Sequence, residues 1–403
     1  MVTIMSKKKV FFFAVSVAVV FSLIGGALFG QATQRNNVFR YLSIFTEVFD
    51  LVRNNYVEQV APDQLMDGAF NGVTDAIDEF SYYVPPTQMA AYKTYMDSED
   101  NGIGLVVTKR FGYAYVIASI PGSPAAKAGI ERGDFIEKVD GKATQKMAVW
   151  QVRNALHGGK PIQLQVLRGG QTKRDEFTIQ QANYHPVPLT TQQFGTVAYI
   201  KVPYFEKGTA EQLKSALDNV RKSGNRKLII DVRGNAGGEV VEAITSADEL
   251  LTSGLITSVE GHVDAKRWQA DRATDYDGDV EVLTDNSTAS GAEIFAAAIH
   301  GNSRGKLVGV NTYGKAVVQK FIALPSGGGV LMTVAHYTTP EMKPIKEGGV
   351  KPDVPVDLTA QALRDRDTKG PLAPPKPQDD LILKKALELY NEPQQSVATK
   401  KAA

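Results

Sequence analysis

A chain of 403 residues, with 43 % apolar and 22 % charged residues, has the make-up of a globular protein of two or three domains. Its 45 Lys and Arg against 44 Asp and Glu leave a net charge of +1, which gives no electrostatic case for nucleic acid as a partner. The absence of cysteine excludes disulfides, thiolate catalysis and Cys-based zinc sites, and leaves both redox compartments open.

Lys7, Lys8 and Lys9 precede an uncharged apolar run from Val10 to Phe29. As a helix this run would match a hydrocarbon core of about 30 Å. Positive charge on its N-terminal side sets the rest of the chain outside the cytoplasm. The run is long for a signal peptide, although Gly30-Gln31-Ala32 could serve as a cleavage site, so an uncleaved anchor over residues 1–33 is favoured. The expected location is extracytoplasmic, on the periplasmic side, either held at the inner membrane or secreted.

From Asn37 to Asp78 apolar residues recur at spacings of three and four, through Val38, Leu42, Phe45, Phe49 and Val52. That predicts helices, the second from about Pro62 to Ile77, within a helical segment at 34–88. From Met89 to Asn183 the texture is β-rich. GIGLVVTKRFGYAYVIASI alternates like a hairpin, and PGSPAAKAGIERGDFIEKVDG reads as a turn, a short helix from Pro124, a loop at Gly133-Asp134 and a strand. The glycine loop Gly102-Ile103-Gly104-Leu105 together with the block from Gly122 to Gly141 resembles a PDZ domain, placed at 89–183. Backbone N–H groups of such a loop can cradle a terminal carboxylate while the peptide adds a strand to the sheet edge. A glycine-rich hairpin without a ligand is the plainer alternative.

From Thr196 strands alternate with helices: VAYIKVPYF, an amphipathic helix with Leu213, Ala216, Leu217 and Val220 on one face, then KLIIDVRGN, GGEVVEAITSADELL, VEVLTDNS, GAEIFAAAIH and KLVGVNTYG. This order predicts a largely parallel sheet covered by helices. After Asp357 come a helix-like piece, the linker GPLAPPKP and an amphipathic helix with Leu383, Leu387 and Tyr390 on one face.

Within DNSTASGAEI, Ser290 stands between a strand and a helix, with no histidine within nine residues on either side. Ser290-Gly291-Ala292-Glu293 fits the capping box S-x-x-E, so a helix cap is one reading of this serine. A nucleophile is the other, since a helix N-terminus favours developing negative charge beside it. Lys315, in NTYGKAVVQ, follows 25 residues later, and Gln319 four residues after that. The i to i+4 spacing puts Lys315 and Gln319 on one face of a helix or a strand. A buried lysine sheds its charge readily, so neutral Lys315 could act as general base with the Gln319 amide holding its amine. A solvated surface lysine is the ordinary alternative.

DNSTASGAEIFAAAI, TYGKAVVQ, IIDVRGNAGG and the tail TPEMKPIKEGGVKPDVPV resemble, in order and spacing, the carboxyl-terminal processing peptidases, or tail-specific proteases, from about Val38 to Val356. The resemblance implies a helical segment, a PDZ domain and a crotonase-like β/α catalytic core at 184–360; with the N-terminal membrane anchor and the linker with C-terminal helix at 361–403 read above, the chain is expected to be a multidomain α/β protein. It implies a serine endopeptidase that recognises a free C-terminal carboxylate at Gly102, Ile103, Gly104 and Leu105. Ser290 would be the nucleophile, Lys315 the base and Gln319 its support, with an acyl-enzyme intermediate. The N–H groups of Gly237 and Gly291 would form the oxyanion hole. Asp231, Arg233 and Asn235 read as scaffold for that loop. The partners implied are protein or peptide C-termini, the membrane through the N-terminal segment, and a second copy of the chain, as in some members. No cofactor is called for, and the five histidines show no metal-binding spacing.

Two departures stand out. Gly291 takes a position where the family usually has alanine, and Leu156-His157-Gly158 stands where Leu-Arg-Gly is common. Two other functions compete: an idle PDZ scaffold that binds protein tails, and a small-molecule acyl binder. Intact Ser290, Lys315 and Gln319 weigh against the first, and the PDZ segment weighs against the second.

Overall fold

The computed structural model describes residues 38–97, 102–157, 160–168, 174–271, 274, 276–346, 348–358 and 375–391. The apolar run Val10 to Phe29, the helix-like piece after Asp357, most of the linker and the last residues lie outside the described residues. Among the described residues, no helix is long and apolar enough to cross a membrane.

Residues 38–55 form helix α1, and Pro62–Asp75 form α2. Proline at the first position of α2 suits a site where its missing N–H costs nothing. Phe39, Tyr41, Leu42, Phe45 and Val48 on α1 are exposed.

Strand β1 (Tyr82–Val84) and helix α3 (Met89–Met96) follow. Next come β2 (Leu105–Arg110), β3 (Tyr113–Ser119), α4 (Pro124–Lys127), β4 (Phe135–Val139), β5 (Lys142–Ala143), α5 (Val149–Ala155), β6 (Ile162–Leu167) and β7 (Arg174–Ile179). Phe111 and Gly112, with φ of 52° and 82°, close the β2–β3 hairpin in the left-handed geometry that a two-residue turn requires. The sheet order is β2-β3-β4-β6-β7, so β2 is an edge strand. A separate core fills this unit, with Ile103, Val116, Ile136, Val152 and Leu164 buried. The outer face of α5 packs Val149 and Trp150 against Tyr82, Val84 and Tyr92, with the Tyr92 and Trp150 rings edge to face at 5.4 Å.

The remaining chain forms β8 (Thr190–Phe194), β9 (Val197–Lys201), α6 (Thr209–Lys222), β10 (Lys227–Asp231), α7 (Val240–Asp248), β11 (Leu255–Gly261), β12 (Lys266–Gln269), β13 (Asp279–Thr284), α8 (Gly291–Gly301), β14 (Gly305–Gly309), β15 (Val317–Ala323), β16 (Gly329–Tyr337), β17 (Val354–Pro355) and α9 (Leu381–Asn391). The central sheet runs β17-β14-β13-β10-β9-β8, parallel except for the β8–β9 pair. Helices α6, α7 and α8 bury their apolar sides on one face, through Leu213, Leu217, Ile244 and Phe295. On the other face α9 lays Ile382, Leu383 and Ala386 against Tyr199, Ile229, Leu283 and Val308. Cover on both faces explains why Leu228, Ile229 and Ile230 are all buried, where a one-sided strand would alternate. A second sheet, β1-β16-β11-β12 with β15 on β16, carries the Lys315 loop at one end.

Candidate active site

Ser290 sits at the junction of β13 and α8 with φ 54° and ψ −121°, a strained backbone for a residue with a side chain. Half of the expected capping box forms. Glu293 Oε2 accepts from the Ser290 N–H at 3.0 Å, whereas the serine hydroxyl makes no cap hydrogen bond. The cap reading therefore belongs to Glu293, and the Ser290 hydroxyl is left for other use.

Glu293 is fully buried and binds far more than a helix end. Its Oε2 also accepts from the Lys315 N–H at 2.7 Å, and its Oε1 accepts from the Gly314 N–H at 2.6 Å and the Thr312 hydroxyl at 2.5 Å. One oxygen thus holds the amides of Ser290 and Lys315, which cannot stand further apart than the sum of two hydrogen bonds. The Tyr313 N–H donates to the Thr288 carbonyl at 2.9 Å and seals the same two loops. Burial pushes the Glu293 carboxyl up to about 7, against the pull of its four donors.

Lys315 is half-buried, and its Nζ lies 5.3 Å from the centre of the Phe80 ring. Burial, and then the positive charge of Arg153 on α5, lower its pKa to about 7, while Glu79 and Glu293 pull the other way. Among the described residues, the Lys315 amine makes no hydrogen bond and does not reach the Ser290 hydroxyl. Catalytic hydrogen bonds are often long before substrate arrives. Gln319 differs from expectation. Its amide donates to the Phe80 carbonyl at 3.0 Å and not to Lys315. Lys315 precedes β15, and a bulge between Val318 and Gln319 upsets the simple i to i+4 relation.

The loop after β10 closes on Ser290 from the other side. A Cβ on Gly237, at φ 101°, would lie 2.7 Å from the Ser290 Cβ, so only glycine fits. The Ala289 N–H donates to the Asn235 carbonyl at 3.0 Å. Gly291 heads α8. The N–H groups of Ala292, Glu293 and Ile294 donate to the Ala289 and Ser290 carbonyls, and among the described residues the Gly291 N–H has no backbone acceptor. Gly237 departs from the reading as an open oxyanion donor, because its N–H is engaged with Asn235 Oδ1 at 2.8 Å. Asp231, Arg233 and Asn235 are scaffold. Arg233 is held by Asp231 at 2.5 Å and by Asp380, the residue before α9, at 2.7 Å.

The loop from Gly102 to Leu105 packs against the block around Ser123, joining the two stretches that the sequence offered separately. A Cβ on Gly104 would meet the Ser123 Cβ at 2.2 Å, and the Ala125 N–H donates to the Ile103 carbonyl at 2.9 Å. Gly102, Ile103 and Gly104 are buried, and Leu105 opens the edge strand β2. Across the groove between β2 and α5, Arg153 donates from Nη2 to the Val107 carbonyl at 2.9 Å. His157 packs its ring edge to face with Tyr95 at 5.5 Å and borders Gly102. Sequence reasoning missed Arg153, Glu79, Phe80 and the wider role of Glu293. Only Glu293 carried a local signal, its capping box.

The model of peptidase family S41 matches residues 196–356, and the PDZ domain model matches residues 115–168. The carboxy-terminal-processing protease of Bartonella bacilliformis is 30 % identical over 359 residues, covering 87 % of this chain and 83 % of its own length. The chain belongs to the carboxy-terminal processing protease family. This serine protease is also 29 % identical to the carboxy-terminal processing protease CtpA of Bacillus subtilis over 367 residues, covering 87 % of this chain and 77 % of the relative. The solved photosystem II D1 C-terminal processing protease superposes on it with a TM-score of 0.62 at 24 % identity, over 78 % of this chain and 92 % of that one. At that identity the likeness is one of fold. Nothing in these relatives favours an idle scaffold.

Proposed function

We propose that this carboxy-terminal processing protease cuts by a Ser290–Lys315 dyad. The observation that carries the reading is the Glu293 carboxylate, which binds the backbone of both residues at one oxygen. A free C-terminal carboxylate docks on the N–H groups of the loop Gly102, Ile103, Gly104 and Leu105, and the chain ahead of it adds to the β2 edge. Ser290 Oγ attacks a peptide carbonyl while neutral Lys315 takes the hydroxyl proton. Collapse of the tetrahedral intermediate breaks the C–N bond, and Lys315 returns the proton to the leaving amine. Water, deprotonated by Lys315, then releases the acyl group and restores the serine. The Gly291 N–H donates to the oxyanion, joined by that of Gly237 once it leaves Asn235. Gln319 supports the Lys315 amine after it leaves the Phe80 carbonyl.

The test uses an unstructured protein with an apolar free C-terminus and the same protein amidated at that end. The wild type should cut only the free-ended substrate, and Ser290→Ala and Lys315→Ala should cut neither. Equal cutting of both substrates would remove tail recognition from the account, and cutting by Ser290→Ala would remove the nucleophile.

The N-terminal run Val10 to Phe29 we read as an inner-membrane anchor that holds the protease on the periplasmic side. Three lysines ahead of it support that orientation. Carbonate extraction of membranes tests it, since release of the full chain into the soluble fraction excludes an uncleaved anchor. The exposed apolar side chains of α1 suit a homodimer, which light scattering of the full chain and of a Phe39→Ser/Leu42→Ser/Phe45→Ser variant would test. Only the wild type should run at twice the monomer mass.

A further inference from the structure

The Asp285 side chain is buried at the end of β13, ahead of the Ser290 turn. Its Oδ1 accepts from the Ser287 and Thr288 N–H groups at 3.0 Å each, and from the Gly234 N–H at 2.9 Å. It therefore fixes both loops that face Ser290: the turn that carries the serine and the glycine loop from Gly234 to Gly238. Thr288 extends the hold, since its carbonyl receives the Tyr313 N–H from the Lys315 loop. The other carboxylate oxygen, Oδ2, is met from another domain. Arg132, in the PDZ loop between α4 and β4, donates from Nη1 at 3.1 Å. This ion pair spans 153 positions of sequence and is mostly shielded, with Arg132 17 % and Asp285 1 % exposed at the side chain.

We propose that Arg132 is a positioning residue for the cleavage reaction. From the PDZ domain it holds Asp285 in the one orientation that serves both catalytic loops, so the Ser290 turn is set for attack while the PDZ domain keeps its docked place. The inference rests on the reading of Ser290 as nucleophile. A buried carboxylate that loses a cationic partner is destabilised and turns toward other donors. Its Oδ1 contacts then loosen together. Misplacement of a reacting group by about 1 Å can cost roughly 10²-fold in rate.

The test takes the full chain with Arg132→Gln, Arg132→Lys, Asp285→Asn and the double variant Arg132→Gln/Asp285→Asn. The first readout is the rate at which a small fluorophosphonate, which has no tail, labels Ser290. The second is the affinity for a fluorescent decapeptide with an apolar free C-terminus, by anisotropy. Labelling should fall about 10- to 100-fold in Arg132→Gln, recover in part in Arg132→Lys, and fall no further in the double variant than in the worse single one. Tail affinity should stay within about twofold, a change worth less than 1 kcal/mol. Wild-type labelling in Arg132→Gln would overturn the proposal. So would a loss of tail affinity as large as the loss of labelling, which marks general damage to the PDZ domain. Labelling that survives Ser290→Ala would instead sink the reading of the site, whatever Arg132 does.

Discussion

The Ser290 turn and the PDZ groove are both glycine-shaped, and they are held in opposite ways. Around Ser290, two buried carboxylates, Glu293 and Asp285, take up the amides of three loops. On the PDZ side, Arg153 holds the Val107 carbonyl of β2. A nucleophile that must be aimed needs an over-determined frame. An edge that must accept a new strand needs a contact that can be exchanged.

The sharpest way to break this contrast is to remove the chemistry from the rigid side. Ser290→Ala and Lys315→Ala should each lower kcat on a free-tailed substrate by on the order of 10⁴–10⁶, with the folded structure kept by circular dichroism. A loss of tenfold or less in Lys315→Ala would leave the dyad without its base. Next is the frame itself. Glu293→Ala takes the acceptor from four donors, those of Thr312 and Gly314 buried, and should cost roughly 3–5 kcal/mol of stability in urea unfolding. A cost below about 1 kcal/mol would show that the loops hold each other without Glu293.

The pH response follows from Lys315. Its folded pKa is lowered to about 7, so it is protonated below that pH and neutral above. Activity should rise as pH increases through about 7, falling about tenfold per unit below it. Stability moves in the same direction. The unfolded chain binds the lysine proton between about 7 and its ordinary value of 10.5, so the penalty for burying Lys315 is relieved as pH rises across that window. A flat rate from pH 5 to 8 would count against a lysine base.

The smallest expected effect is on the exchangeable side. Arg153→Ala should strengthen tail binding by about fivefold, near 1 kcal/mol, since the peptide no longer competes for the Val107 carbonyl. It should also move the pH midpoint upward, because the Arg153 charge helps hold Lys315 down. Weaker tail binding in Arg153→Ala would make that arginine part of the recognition surface and not its closure.

The fold was legible wherever periodicity was strong. The alternation of Leu105 to Ser119, the buried run Leu228 to Ile230 and the amphipathic α6 and α9 all appear where their patterns put them. The antiparallel pair β15 and β16 was not read, because its residues lie at half-buried positions without clean alternation. At the site, the loops of Ser290, Lys315 and Gly237 meet. The side-chain partners did not follow from spacing. Gln319 turns to Phe80 and Gly237 to Asn235, choices set by loops far apart in sequence. Arg132 and Asp285 carry no motif that links them, and only the docking of two domains brings them together.

The central claim is that Lys315, held beside Ser290 and stripped of its charge, activates the serine. The most direct measurement is the pH dependence of Ser290 labelling by a small fluorophosphonate in the wild type and in Lys315→Ala. The account expects a wild-type rate that climbs through about pH 7 and a variant rate that is slow and flat over the same range. A climb of the same midpoint and size in both proteins would contradict it, since the titrating base would then be some group other than Lys315.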